Sequence, residues 1–219
     1  MTLESTDVLL IIDLQNDFMP GGALPVAEGH TIVPLINSLA QRFPHTILTQ
    51  DWHPPQHISF ATTHNKQPYD TIELTHSSKK IIQTLWPDHS IQHSSGAAFH
   101  PALEVPQAEL ILRKGFRPHI DSYSAFLEND HITPTGLAGY LRERELNHLF
   151  LCGLAYDFCV RYSAIDGKHL GFETIVIEDA TRAVNLPGSS GLPNSVAETN
   201  AAFAAIGIPR IQSSEIFAT

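Results

Sequence analysis

The stretch Asp7-Val8-Leu9-Leu10-Ile11-Ile12, followed by Asp13, decides the fold. Its apolar residues run on without the polar alternation of a half-exposed strand, so it reads as a strand buried on both faces. Similar short runs recur at Thr46–Thr49, Ala108–Leu112, Leu149–Cys152 and Thr174–Ile177, with a short sixth near Arg210–Gln212. Helical periodicity fills the gaps. Apolar residues at 32, 35, 36, 39 and 43 share one face of a helix over Ile32–Phe43. Leu137, Tyr140 and Leu141 mark a second helix, with Thr133 or Thr135 placed to cap it. Phe158, Tyr162 and Ile165 mark a third, ended by Gly171, and an Ala-rich helix spans about Val196–Ile206. Buried strands alternating with helices predict an α/β fold: three layers, a mostly parallel sheet of about six strands, and helices on both faces. The pattern predicts a single domain over residues 1–219, interrupted by a long insertion of about 52–106 that is rich in His and Pro and poor in periodicity.

Composition narrows the function. The chain has 219 residues, 42% of them hydrophobic and 16% charged, enough to bury a substantial core. A net charge of −10 disfavours nucleic acid and anionic membranes as partners. No apolar run reaches membrane-spanning length, and Met1–Thr6 lacks the basic start of a signal peptide. Cys152 and Cys159, seven positions apart across a strand-to-helix turn, read as reduced thiols, which sets a cytoplasmic location as the expectation. No Gly-x-Gly-x-x-Gly, phosphate loop or nucleophilic Ser elbow is present.

Ligands bind beyond the carboxyl ends of parallel strands, and reactive residues fall there repeatedly. Asp13 closes the first strand, Asp51 the second and Lys114 the third, while Cys159 follows the fourth. An acid, a cation and a thiol therefore meet at one rim. Cys159 near a helix start, beside Lys114, is expected to favour the thiolate and act as a nucleophile. Cys152, inside a strand, reads as inert, and Asp17 as a turn cap. The stretch Gln50-Asp51-Trp52-His53-Pro54-Pro55-Gln56-His57 adds a carboxylate and two imidazoles within a proline-stiffened loop. Such donors suit a divalent ion such as zinc, iron or manganese.

These segments, together with Ile12-Asp13-Leu14-Gln15-Asn16-Asp17-Phe18, Trp86-Pro87-Asp88-His89, Lys114-Gly115, Asp121-Ser122-Tyr123-Ser124-Ala125-Phe126 and Gly153 through Val160, resemble the nicotinamidases. Those enzymes belong to the cysteine hydrolase superfamily that also holds the isochorismatases. The resemblance runs over about residues 7 to 182, and its specific part is the Asp/His set. It implies an isochorismatase-like hydrolase fold, with Asp13 as general base, Lys114 as its charge partner and Cys159 as nucleophile. Asp51, His53, His57 and His89 would ligate one divalent ion, zinc first and iron or manganese otherwise. A cis bond between Leu154 and Ala155 and an oxyanion hole from the N–H groups of Ala155 and Cys159 are implied too, with Phe18, Trp86 and Tyr123 as walls of a ring pocket. Ser90 and Phe158 depart from common residues of the family at those positions, and the His93–Ala97 turn is a loose version of its own.

The implied reaction is hydrolysis of nicotinamide to nicotinate and ammonia through a thioester, in NAD salvage. The alternatives are a metal-independent isochorismatase or carbamoyl-amide hydrolase, a silent scaffold, or a metal-storage protein using the 13 histidines. The filled catalytic positions and the scattered histidines argue against the last two. His64, His76, His93, His100 and His119 read as surface or loop residues, and homo-oligomerisation is left open.

Overall fold

In the computed structural model, which describes residues 1–188 and 191–217, the opening run forms β1 (Asp7–Ile12), buried along its whole length. It pairs in parallel with β2 (His45–Asp51) on one side. The strand on its other side, also parallel, is β6 (His148–Leu154). Outward from β2 lies β5 (Leu110–Lys114), and outward from β6 lie β7 (Glu173–Arg182) and β8 (Arg210–Ile211). The sheet order is β5-β2-β1-β6-β7-β8, so the six-stranded α/β sheet expected from the sequence is present and parallel throughout.

The two-sided burial of β1 has its covering layers. Leu9 and Ile11 pack with α1 (Val33–Ala40) and α5 (Ser213–Phe217). Val8, Leu10 and Ile12 pack with α2 (Leu137–Glu143), α3 (Arg161–His169) and α4 (Ser195–Ile206). Each such side chain contributes about 1.5–3 kcal/mol on burial, so this one strand anchors two cores. No helix among the described residues is long and apolar enough to cross a membrane.

The structure differs from the sequence expectation in several places. The 52–106 segment holds an antiparallel hairpin, β3 (Thr71–His76) with β4 (Lys79–Thr84). Its turn residues Ser77 and Ser78 both take positive φ, 47° and 66°, a task usually given to Asn-Gly, so the turn signal was absent from the sequence. The third strand of the main sheet starts at Leu110 rather than Ala108, whose N–H is taken by a turn to Val105 O at 3.1 Å. β7 runs on to Arg182 through an irregularity opposite Leu151–Gly153. Gly136, not a threonine, holds the N-cap of α2, although Thr135 Oγ1 still accepts Leu137 N–H at 3.3 Å. A π-helical turn, Tyr156–Val160, precedes α3.

Gly153 lets β1 and β6 run side by side to the site. Its φ is +106°, and a Cβ there would lie 2.1 Å from Ile12 O. Gly153→Ala is expected to lower stability by more than about 2 kcal/mol, through both backbone strain and overlap. Urea unfolding followed by circular dichroism checks this; a midpoint equal to wild type would contradict it.

Candidate active site

Chain direction along the sheet reverses between β1 and β6: the chain builds outward to β2 and β5, then returns to the other side of β1. A crevice beyond the carboxyl ends of strands forms at such a switch point. Asp13 follows β1 directly, and Asp51 and Lys114 are the last residues of β2 and β5, in register with each other. Cys159 lies in the π-turn after β6. The four side chains predicted at one rim do converge.

Asp13 is fully buried with φ +48°, a conformation that few non-glycine residues adopt. Thr49 holds it there: its Oγ1 accepts Asp13 N–H at 3.2 Å and donates to Asp13 Oδ1 at 2.6 Å. Lys114 Nζ lies 2.8 Å from Asp13 Oδ2, which has this ion pair but no partner in hydrogen-bond geometry. The same ammonium donates to Asp51 Oδ1, to Ser122 O at 3.1 Å and to Cys159 Sγ at 3.4 Å. A lysine with 1% exposure thus holds two carboxylates and a thiol around one charge.

The protonation states follow. Burial opposes the Lys114 charge, but Asp13 and Asp51 outweigh it and hold the pKa well above the usual lysine value. Burial pushes Asp51 up, yet Lys114 and His53 bring it well below the carboxylate range. Asp13 moves the other way: burial, reinforced by Asp51, raises it despite Lys114. Cys159 is also raised, by burial first and then by the two carboxylates, against the pull of Lys114. This corrects the expectation of a resting thiolate. Burial and the paired acids thus favour the neutral thiol, whose Sγ accepts from the Lys114 ammonium that also pairs with Asp13. Cys152 is buried and its thiol is pushed up by desolvation, consistent with an inert residue.

A second cluster shares Asp51. Its Oδ2 lies 3.6 Å from His53 Nε2 and 3.8 Å from His89 Nε2, and the donor atoms of the three residues form one group within 4.8 Å. His53 Nδ1 faces Gly115 O at 2.8 Å and His89 Nδ1 faces Pro87 O at 2.7 Å. A carbonyl only accepts, so both Nδ1 atoms carry hydrogen, and both Nε2 atoms face Asp51, where each ring in its neutral form offers a lone pair to a cation. Two carboxylates against one ammonium leave local negative charge, so the chemistry of the donor set fits a divalent ion. His57 is not in that group. Its Nε2 faces Arg117 O and Ile120 O at 3.0 and 3.2 Å, and it groups instead with His53 and Asp121. Its ring stacks on His53 with centroids 4.3 Å apart. Burial, with His53 beside it, lowers the His57 pKa to about 4.

The sequence reading missed Gln15, whose buried amide clamps Asp51: Oε1 accepts Asp51 N–H and Nε2 donates to Asp51 O, each at 2.8 Å. It missed Asp121 as well. Asp17 caps the turn at Ala23 as expected, and its Oδ2 also accepts Ser90 N–H at 2.7 Å, tying the two loops together. The five histidines read as surface or loop residues are all at least partly exposed.

The two clusters meet at one cavity, which Cys159 reaches from the first and Asp51, His53 and His89 from the second. Asp51, His53, His89 and Cys159 line one part, and Phe18, Trp86, Tyr123 and Phe158 supply aromatic walls. Ala155, joined to Leu154 by a cis bond, lines it too.

A buried acid, lysine and thiol on this sheet define a class, and the match to the isochorismatase domain over residues 7–205 agrees: the chain belongs to the isochorismatase family. Within it, the chain is similar to the nicotinamidase of Acinetobacter baylyi, 50% identical over 182 residues and 83% of each chain. A solved nicotinamidase/pyrazinamidase of Acinetobacter baumanii superposes with a TM-score of 0.91 at 48% identity, covering 97% of this chain and 99% of that one. The pyrazinamidase of Pyrococcus horikoshii in complex with zinc reaches a TM-score of 0.73 at 29% identity, covering 94% and 99%.

The raised thiol generates a test. Alkylation of Cys159 by iodoacetamide is expected to be slow at pH 8 and to keep accelerating above pH 9, because the thiolate fraction grows until pH passes the raised pKa. Mass spectrometry of the labelled peptide checks it. A rate that levels off near pH 7 would show a thiolate and overturn the assignment.

Proposed function

We propose that this chain is a nicotinamidase: a metal-dependent hydrolase converting nicotinamide to nicotinate and ammonia through a Cys159 thioester, in the cytoplasm and in salvage of NAD. The observation that carries this reading is the single cavity lined both by Cys159, which sits on the Asp13–Lys114 pair, and by the Asp51–His53–His89 cluster. The relatives named nicotinamidase support the substrate. Aromatic walls suit a flat heteroaromatic ring.

Asp13 takes the Cys159 proton as Sγ attacks the carboxamide carbon. The charge that develops on the carbonyl oxygen is met by the N–H groups of Ala155 and Cys159. The C–N bond then breaks, and Asp13 passes its proton to the leaving nitrogen, releasing ammonia and leaving the thioester. Water adds to the thioester carbon while Asp13 accepts a proton from it. Collapse expels Sγ, which recovers that proton, and the acid departs as nicotinate, its own proton passing to solvent. Lys114 keeps Asp13 ionised enough to act as a base inside a buried site, which desolvation alone would prevent. Asp51, His53 and His89 would hold the divalent ion, zinc by the donor set and by the zinc-bound relative, with iron or manganese as alternatives. Bound there, the ion would supply Lewis-acid chemistry for a ring nitrogen. His57 is assigned a place behind His53 rather than on the ion.

Cys159→Ala is expected to reduce ammonia release by about 10³-fold or more while leaving metal content at wild-type level. Substantial residual turnover would exclude Cys159 as nucleophile. His53→Ala is expected to lower bound metal, read by elemental analysis, and to raise KM for nicotinamide; unchanged metal content would sink the ligand assignment.

A further inference from the structure

The hairpin absent from the sequence reading carries one residue out of character with its surroundings. Lys80 and Ile82 of β4 face solvent, Ile81 faces inward, and Gln83 is 1% exposed. Its amide meets the ring pocket from behind. Nε2 lies 2.9 Å from Tyr123 Oη, 2.7 Å from Thr84 O and 3.3 Å from Asp121 Oδ2, and Oε1 lies 3.1 Å from Asn129 Nδ2.

Backbone groups settle the direction of these bonds. Tyr123 N–H can only donate, and its partner at 3.0 Å is Asn129 Oδ1. Asn129 therefore turns Nδ2 toward Gln83, whose Oε1 accepts, and Gln83 turns Nε2 toward the phenol. Trp86 Nε1, also a donor only, reaches the same Tyr123 Oη at 3.0 Å. Tyr123 is thus held at both ends: Asn129 takes its backbone N–H, and two donors fill both acceptor positions of its hydroxyl.

The rings so held shape the cavity. Trp86 and Phe158 meet edge to face with centroids 4.8 Å apart, and Tyr123 meets Phe158 at 5.7 Å in the same manner. An aromatic wall fixed only by packing can rotate about its side-chain torsions, whereas one clamped through its hydroxyl cannot do so without breaking the bonds.

We propose that Gln83 is a positioning residue for the ring pocket, acting on the substrate through Tyr123 and Trp86. The inference rests on the nicotinamidase reading for the identity of the ring, but the clamp itself does not. Gln83 touches none of Asp13, Lys114 and Cys159 in the hydrogen bonds above, so its loss falls on binding rather than on bond-making.

The test uses the full-length, metal-loaded protein. Gln83→Met keeps length and volume and removes the donors; KM for nicotinamide is expected to rise about three- to tenfold, the scale of one or two lost neutral hydrogen bonds, with kcat within about twofold. Tyr123→Phe removes the other partner, and the double variant is expected to show a KM rise no larger than the greater single one, since both delete the same bond. Trp86 gives a readout independent of turnover. The chain has two tryptophans, so Trp52→Phe leaves Trp86 as the one indole, and Gln83→Met in that background is expected to increase acrylamide quenching of its fluorescence. An unchanged KM, equal losses in kcat and KM terms with a lowered melting temperature, or additive single effects would overturn the proposal. If the wild-type protein fails to hydrolyse nicotinamide, the functional reading falls and Trp86 quenching decides the clamp alone: no change overturns it. Should Gln83→Met not fold, Gln83→Glu, which keeps length and replaces the donor by an acceptor, is expected to raise KM in the same way, and an unchanged KM there overturns the proposal too.

Discussion

The Lys114 ammonium, buried between Asp13 and Asp51, is the interaction on which the site depends. A charge taken out of water loses several kcal/mol of solvation, which only close partners offset, and removing one partner of such a pair costs about 3–5 kcal/mol. Here the partners are the two acids of the proposed reaction and ion site. Lys114 thus couples the halves: it opposes the burial that raises Asp13, and it keeps Asp51 ionised. Its third neighbour, Cys159, sits where burial and the carboxylates push the thiol up against the pull of that ammonium.

Such a cluster needs rigid supports. Asp51 and Lys114 are registered on adjacent parallel strands, and Asp13 follows the central strand whose two faces anchor both cores. Moving any of these side chains would disturb the β-ladder and the packing beneath it. The smaller supports act in the same direction. Gln15 clamps the Asp51 backbone and Thr49 holds Asp13 in its left-handed conformation. Gly115, with φ +64°, leaves room for the His53 ring, which a Cβ would meet at 2.4 Å. The hairpin and the 121–129 loop do for the aromatic walls what the sheet does for the acids.

Much of this was legible in the chain. Continuous apolar runs placed the buried strands, helical spacing placed the covering layers, and strand ends placed Asp13, Asp51, Lys114 and Cys159 together. The hairpin was not legible, because Ser77-Ser78 gives no positive-φ turn signal and β3 buries no residue fully. Gln15 and Gln83 were not, because an amide looks alike in sequence whether it is solvated or clamps a buried backbone. His57 sits two residues beyond a proline pair and four beyond His53, a spacing that suits a ligand, yet its ring nitrogens face Ser59 and two backbone carbonyls.

The sequence by itself determined the layered α/β architecture and the residue types at the strand ends, because hydrophobic periodicity and strand polarity are local properties carried by each segment. Tertiary structure decided the charge balance, the grouping of the donor atoms and the pocket shape. The thiol is neutral rather than ionised because two carboxylates and burial outweigh one ammonium, a sum over four segments of the chain. Asp51, His53 and His89 face one point because carbonyls of Gly115 and Pro87 turn the imidazoles, and Gln83 reaches Tyr123 because a hairpin folds back over the 121–129 loop. Electrostatic energies and hydrogen-bond directions depend on distances between residues far apart in sequence, and only the folded chain sets those distances.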